Sequence, residues 1–157
     1  MVYLLFHIEG DPFAIPASRV ERVVPFVSLT PLPKAPACVR GMLNYRREAV
    51  PVLDVAMILG KVPTQSVLSS RLLLTQSFTA PRSASSKLMA LLVPSAVETQ
   101  SFESEQFISS GIKVADADSL GLVVSYQDRL VQIIEIEKLV PESIKQALIA
   151  GQEVVSK

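Results

Sequence analysis

Side chains that move protons or hold metals work in sets, and this sequence supplies almost none of the members. His7 is the single histidine of the 157 residues. It sits in the apolar run "VYLLFHI", a setting that suits a packed or edge side chain better than a general base. Serines are plentiful, yet there is no G-x-S-x-G elbow, no phosphate-cradling glycine loop and no second histidine to complete a triad or a metal site. Asp116 and Asp118 in "DAD" put two carboxylates close together, but in an expected loop with no further ligand nearby. That pattern reads as a solvated loop. Cys38 stands alone, which excludes an internal disulfide and fits a reducing compartment, and as a small apolar side chain it suits burial. Asp54, in "VLDV", has the apolar neighbours of an aspartate that hydrogen-bonds a backbone turn. No catalytic residue, metal site or cofactor is expected.

The densest cationic group is Arg40, Arg46 and Arg47, in "RGMLNYRREAVPVLDV" at residues 40 to 55. The stretch offers backbone, apolar area and fixed cations but no acid-base pair, so it reads as an edge that other proteins grip rather than a reaction site. Taken by itself, the basic group fits two roles equally: a binding point, or a solvated tip that keeps a strand edge from aggregating. Pro51 lacks an N–H, which a strand tolerates only at an edge or bulge.

These residues must be positioned by strands. Apolar runs of five to eight residues alternate with proline, glycine and serine clusters, the pattern of many short strands and little helix. "VYLLFHI" and "PFAIPA" flank Glu9-Gly10-Asp11, a tight hairpin turn with glycine supplying positive φ. "ASRVERVVPFV" predicts a helical turn at Ala17 to Val20, then a strand. "TPLPKAP" at residues 30 to 36 predicts an extended linker. "VRGMLNY" with "EAVPVLDVAMIL", and "LGLVVSY" with "RLVQIIEIEKLV", predict two more hairpins. "SRLLLTQSF" and "KLMALLV" bracket "TAPRSASS", residues 79 to 86, whose small polar residues predict a mobile loop. Pro141 and Glu142 open a C-terminal helix, with Ile144, Ala147 and Leu148 on one packing stripe.

Fifteen basic and fifteen acidic side chains cancel, and 49% hydrophobic content is ample for a core. Six phenylalanines, three tyrosines, no tryptophan and zero net charge argue against a small-barrel nucleic-acid module. The start shows no basic leader, and no apolar stretch reaches the ~18 residues of a membrane span. A soluble cytoplasmic protein is expected. "NYRREAVPVLDVAMIL" aligns without a gap on "SYQDRLVQIIEIEKLV" at an offset of 81, and "IPASRV" aligns on residues 92 to 97 at an offset of 77. The halves, about 13–60 and 90–140, predict two related small barrels packed together.

"FAIPASRVERVVPF", "LTPLPKAPACVRG" and "RGMLNYRREAVPVLDVAMILG" resemble the CheW-like domain of bacterial chemotaxis coupling proteins. The family pattern runs from an "aIP" strand through "LPgaP" to "G-x-x-N-x-R-G-x-x-x-P-x-x-D-L". Here Ile15-Pro16, Leu32-Pro33, Pro36, Arg40-Gly41, Asn44, Arg46, Pro51 and Asp54 occupy those places. The resemblance spans about residues 2 to 140. It implies an all-β fold of two intertwined five-stranded SH3-like barrels, which we place over residues 1–141, with the short helical tail expected from Pro141 and Glu142 at 142–157. It also implies a non-catalytic adaptor that joins a chemoreceptor tip to the regulatory domain of a CheA-like histidine kinase, or serves a pilus or gliding pathway. Arg46, Asn44, Gly41, Arg40, Pro51 and Asp54 are then the expected protein-binding positions. The sequence departs from the pattern at Arg47, where the family carries glycine, so the tip is expected to turn without its usual positive-φ residue. The second repeat has Gln127-Asp128 at its tip, and Gly121 sits one place out of register with Gly41.

Overall fold

A computed structural model describes residues 1–65, 68–76, 88–95, 97–109 and 122–147. Eleven strands follow in chain order: β1 (Val2–Ile8), β2 (Asp11–Pro16), β3 (Val20–Pro25), β4 (Val39–Tyr45), β5 (Glu48–Asp54), β6 (Arg71–Gln76), β7 (Leu88–Val93), β8 (Glu98–Ser101), β9 (Phe107–Ser109), β10 (Leu122–Tyr126) and β11 (Arg129–Ile133). Helices are short: α1 (Val55–Ile58), α2 (Ile136–Leu139) and α3 over 142–147.

The strands form two sheets. One has the order β3-β6-β7-β5-β4 and the other β8-β1-β2-β11-β10-β9. Each sheet curls because one stretch of chain serves both of its edges. In the first, β3 pairs with β6, and the chain then reaches Thr30, which exchanges two 2.8 Å backbone hydrogen bonds with Met42 on β4. In the second, β8 pairs with β1 and, after a 3-10 turn at Ser104–Gln106, β9 pairs with β10. The expected five-strand barrel therefore has six segments here, because that turn splits one strand in two.

The repeat is visible in three dimensions, and its halves cross over. The β4-β5-α1 unit and the β10-β11-α2 unit stand 81 residues apart. Yet β5 pairs in parallel with β7, and β11 in parallel with β2, so each barrel takes a hairpin from one repeat and the remaining strands from the other. The two lent hairpins are apolar on both faces for this reason. Leu5 and Ala14 fill the interior of the six-stranded barrel, while Phe6, Ile8, Phe13 and Ile15 enter a core shared between barrels. Leu72, Leu74, Ala90 and Leu92 fill the five-stranded barrel, while Leu73, Met89, Leu91 and Val93 meet the shared core.

Several local expectations change. "EAVPVLDVAMIL" and "RLVQIIEIEKLV" stop being strands at Asp54 and Ile133, where α1 and α2 follow. "TPLPKAP" is not extended throughout: Lys34 has φ +63°, and the Ala35 N–H turns back to the Leu32 carbonyl at 3.3 Å. The three hairpin tips among the described residues, Glu9-Gly10, Arg46-Arg47 and Gln127-Asp128, each carry two positive φ values, the signature of type I′ turns that match strand twist. The tip at Arg46-Arg47 is thus left-handed despite lacking glycine, because the two-residue connection between Tyr45 and Glu48 demands it. The 3-10 turn at Ala17–Arg19 fulfils the expected helical turn. The Pro141 carbonyl accepts from the Ile144 and Lys145 amides at 3.0 Å, which starts α3 as expected; Ile144 is buried but Ala147 is exposed. Leu148, Gly121, the "DAD" motif and residues 79–86 lie outside the described residues.

Candidate functional site

The β4-β5 hairpin carries all six expected positions, but it sorts them into two ends about 20 Å apart, six residues at ~3.3 Å each. At the base, Arg40 sits in a bulge where register shifts between Val39 and Gly41. Its Nη1 donates to Asp54 Oδ2 at 2.6 Å and to the Thr64 carbonyl at 2.7 Å. Asp54 is wholly buried. Its Oδ1 accepts from the amides of Ala56 (3.1 Å) and Met57 (3.5 Å), capping α1, and from the Thr64 hydroxyl at 2.7 Å. Its Oδ2 also accepts the Thr64 amide at 2.9 Å. Both oxygens are therefore committed inside the fold. Asp54 is a knot tying strand, helix and the 61–65 segment together, and in this conformation it offers a partner no surface.

Gly41 is also internal. Its φ is +136°, and a Cβ there would stand 2.6 Å from the Thr30 carbonyl oxygen, so the closure of the barrel requires glycine. Pro51 lies in an interior strand rather than an edge. Met42, opposite it, spends both backbone groups on Thr30, so the Met42–Pro51 pair exchanges none. The nitrogen of Pro51 faces the β7 side, where pairing begins only at Val52. The missing donor thus falls where no ladder needs it.

The other end is the surface. Asn44, Arg46, Arg47 and Glu48 are exposed, and Tyr45 is half-buried. The Arg46 guanidinium lies 5.1 Å over the Tyr45 ring, within cation-π range. Arg46 and Arg47 make no ion pair among the described residues. Beside them opens a cleft of about 260 Å³, bounded by Glu21 and Arg22 of β3, by Tyr45, Arg46 and Glu48 of the tip, and floored by Leu74 and Leu88. On the opposite side of the tip Asn44 and Arg47 border a shallower hollow that reaches Thr30 and Met42. Tyr45, Arg22 and Thr64 were not among the expected positions. Thr64 has no local signal at all, but a tyrosine preceding the turn in both repeats, at 45 and 126, was a clue.

Elsewhere the charges hold elements together. Lys61 bonds Asp11 at 3.1 Å and pairs with Glu9 at 3.7 Å, and the hydrogen bond to Asp11 holds its pKa above the ordinary lysine value. Arg129 donates to the Gly10 carbonyl at 2.9 Å. Burial pushes the Cys38 thiol up, away from the thiolate, so it has the character of a packed side chain. His7 is half-buried on β1, and its amide donates to the Ser95 hydroxyl at 3.0 Å. Among the described residues no three of His, Cys, Asp and Glu come together as metal ligands, and no helix is long and apolar enough to cross a membrane.

Comparison with known proteins agrees with this geometry. The chemotaxis protein CheW of Rhizobium meliloti (strain 1021) is 21% identical over 149 residues, 92% of this chain and 90% of that protein. Two local likenesses are stronger in identity but shorter. The chemotaxis protein CheW of Thermotoga maritima is 35% identical over 57 residues, spanning 38% of that protein, and protein FrzA of Myxococcus xanthus is 32% identical over 59 residues, spanning 37%. The crystal structure of the scaffolding protein TtCheW from Thermoanaerobacter tengcongensis superposes with a TM-score of 0.73 at 20% identity, covering 88% of this chain and 90% of that one. At that identity the likeness establishes the SH3-like fold. The CheW-like domain matches residues 2–143, nearly the whole described fold, and the chain belongs to that family.

Proposed function

We propose that this protein is a cytoplasmic, non-catalytic adaptor that couples a chemoreceptor tip to the regulatory domain of a CheA-type histidine kinase in chemotaxis or a related motility pathway. The observation that carries the reading is the β4-β5 tip: an exposed arginine, without an ion pair among the described residues, stacked on an aromatic ring at the rim of a cleft. Arginine's planar fork holds a carboxylate or carbonyl in fixed geometry, and such residues dominate transient interfaces. The relatives named CheW and the scaffolding protein TtCheW support the same role. Asn44, Arg46 and Pro51 are the proposed contact positions on this hairpin. Gly41, Arg40 and Asp54 support them from below.

Titration calorimetry with the kinase regulatory domain and the receptor tip encoded in the same genome tests the reading. Arg46→Glu should weaken binding by ~30-fold, the loss of one hot spot of about 2 kcal/mol. Its thermal melt should stay within about 1 kcal/mol of wild type, since the tip is exposed. Arg47→Gly, the matched control, should bind normally. Wild-type affinity in Arg46→Glu, together with lost affinity in Arg47→Gly, would show that the functional arginine is the other one. Absence of binding by the wild-type protein to either partner would end the adaptor reading.

A further inference from the structure

The repeat places a second cleft at the corresponding end of the six-stranded barrel. Tyr126, Gln127 and Arg129 stand 81 residues after Tyr45, Arg46 and Glu48, and Glu98 of β8 faces them with Leu5 and His7 beneath. In each barrel the cleft is the gap where an edge strand, β3 or β8, diverges from a hairpin tip. The two gaps are finished differently. In the second barrel the Tyr126 hydroxyl donates to Gln100 Oε1 at 3.0 Å, a stitch from β10 to β8, and the Gln127 amide donates to that hydroxyl at 3.1 Å. Gln100 stands opposite Tyr3 on β1, as Val24 stands opposite Leu72 on β6, and both Tyr3 and Leu72 belong to a barrel interior. Val24 therefore takes the place of Gln100 in the first barrel. It has no acceptor to offer. The Tyr45 hydroxyl has no hydrogen-bond partner among the described residues, and its ring carries Arg46 instead.

Building on the adaptor reading above, we infer that the unstitched gap of the first barrel is a slot for one apolar side chain of the partner with a carboxylate beside it, and that Tyr45 is the positioning residue that holds Arg46 at its rim. About 260 Å³ is less than the ~300 Å³ at which small-molecule pockets begin, so the slot suits a single anchoring side chain. Leu74 and Leu88 give it an apolar floor. Position, not net charge, selects the neighbour of that anchor. Glu21 and Glu48 balance Arg22 and Arg46 around the cleft, and Glu21 receives the Gln76 amide at 3.4 Å. Arg46, however, is the cation held over the Tyr45 ring at the rim without an ion pair among the described residues, where it can meet a carboxylate.

The chain supplies its own test, because Val24→Gln transplants the stitch of the second barrel into the first. Binding of the kinase regulatory domain and of the receptor tip, each followed by calorimetry, should weaken about 10-fold for whichever partner responds to Arg46→Glu. In a Tyr45→Phe background, which keeps the ring but has no hydroxyl to bridge, the same substitution should change affinity by less than about 2-fold. Tyr45→Leu, which removes the π face, should weaken binding about 5-fold with an unchanged melting temperature. Wild-type affinity in folded Val24→Gln, or a loss that persists with Tyr45→Phe, overturns the inference. If Val24→Gln does not fold, Tyr45→Leu decides: normal affinity refutes the role of the ring. The two readings fail separately. If Arg46→Glu has no effect the adaptor contact at this tip is wrong; if it weakens binding while the Tyr45 and Val24 variants do not, only the slot is wrong.

Discussion

Asp54→Ala should strongly destabilise this protein, although the residue lies in a stretch that reads as a partner surface. The substitution removes the acceptor of the Arg40 guanidinium, of two amides at the start of α1, and of both the amide and the hydroxyl of Thr64. Removing one partner of a buried ion pair costs about 3–5 kcal/mol, and an N-cap alone about 0.5–2 kcal/mol. These contributions share the same atoms and do not add, so about 3–5 kcal/mol is the expected loss. A domain of this size has roughly 5–15 kcal/mol in hand and moves about 2–4 °C per kcal/mol, so the melting temperature should fall by about 6–20 °C. Arg40→Ala should cost less, because the Arg40 side chain is 24% exposed and water can reach the vacated position. Asp54→Asn, keeping the oxygen that caps α1, should fall between wild type and alanine. Calorimetric melts of the three variants, with urea titrations to check that the m-value is unchanged, measure the order. An Asp54→Ala protein that melts within about 3 °C of wild type would refute the knot as the support of this hairpin.

Three further outcomes follow from the same geometry. Gly41→Ala should destabilise by on the order of 3 kcal/mol, since the added carbon meets the Thr30 carbonyl at 2.6 Å and the backbone conformation is one that L side chains rarely adopt; urea titration reads it. Arg47→Gly should stabilise by about 1 kcal/mol, raising the melting temperature by roughly 2–4 °C, because Arg47 holds φ +68° against its own Cβ. Burial raises the Glu137 pKa, but its backbone hydrogen bond and then Arg19 outweigh that and hold it below the ordinary carboxylate value. A lowered folded-state value adds stability above the unfolded pKa that is lost as pH falls through the folded one. Glu137→Gln should therefore lower the melting temperature slightly at pH 7, a difference that fades as the pH falls through the lowered folded-state value; the effect is small because the side chain is 52% exposed.

What could be read in the sequence was what period and turn chemistry encode. The strand runs, the Glu9-Gly10 turn and the repeat at Tyr45 and Tyr126 are local patterns, and the structure reproduces each. The endings of the second arms were misread because Val55-Ala56-Met57-Ile58 is as apolar as the strand before it. Only the carboxylate of Asp54, reaching forward to two amides, marks the change to helix. Sorting Arg40 from Arg46 was beyond any local pattern. Both are arginines beside a strand, and the difference lies in Thr64, 24 residues away, whose carbonyl completes the Arg40 site. The positive φ of Arg46 and Arg47 likewise follows from strand pairing across the tip, which overrides the residues' own preference.

The crossing of the repeats bears directly on adaptor work. Because β1-β2 completes the barrel of the second repeat and β6-β7 that of the first, neither repeat can shift as a unit without breaking a parallel pairing, β11 with β2 or β5 with β7. The shared core of Phe6, Ile8, Phe13, Leu73, Met89 and Leu91 would have to open as well. The clamp of Lys61 on the Glu9-Asp11 turn adds a third tie, joining the segment after α1 to the hairpin lent to the other barrel. Packed interiors resist continuous deformation. A partner held at the proposed β4-β5 contact and another held elsewhere on the molecule would therefore be referred to one rigid frame, so the angle between them would be set by this fold. For the non-catalytic adaptor proposed above, fixed geometry between contacts is the property that would carry a signal.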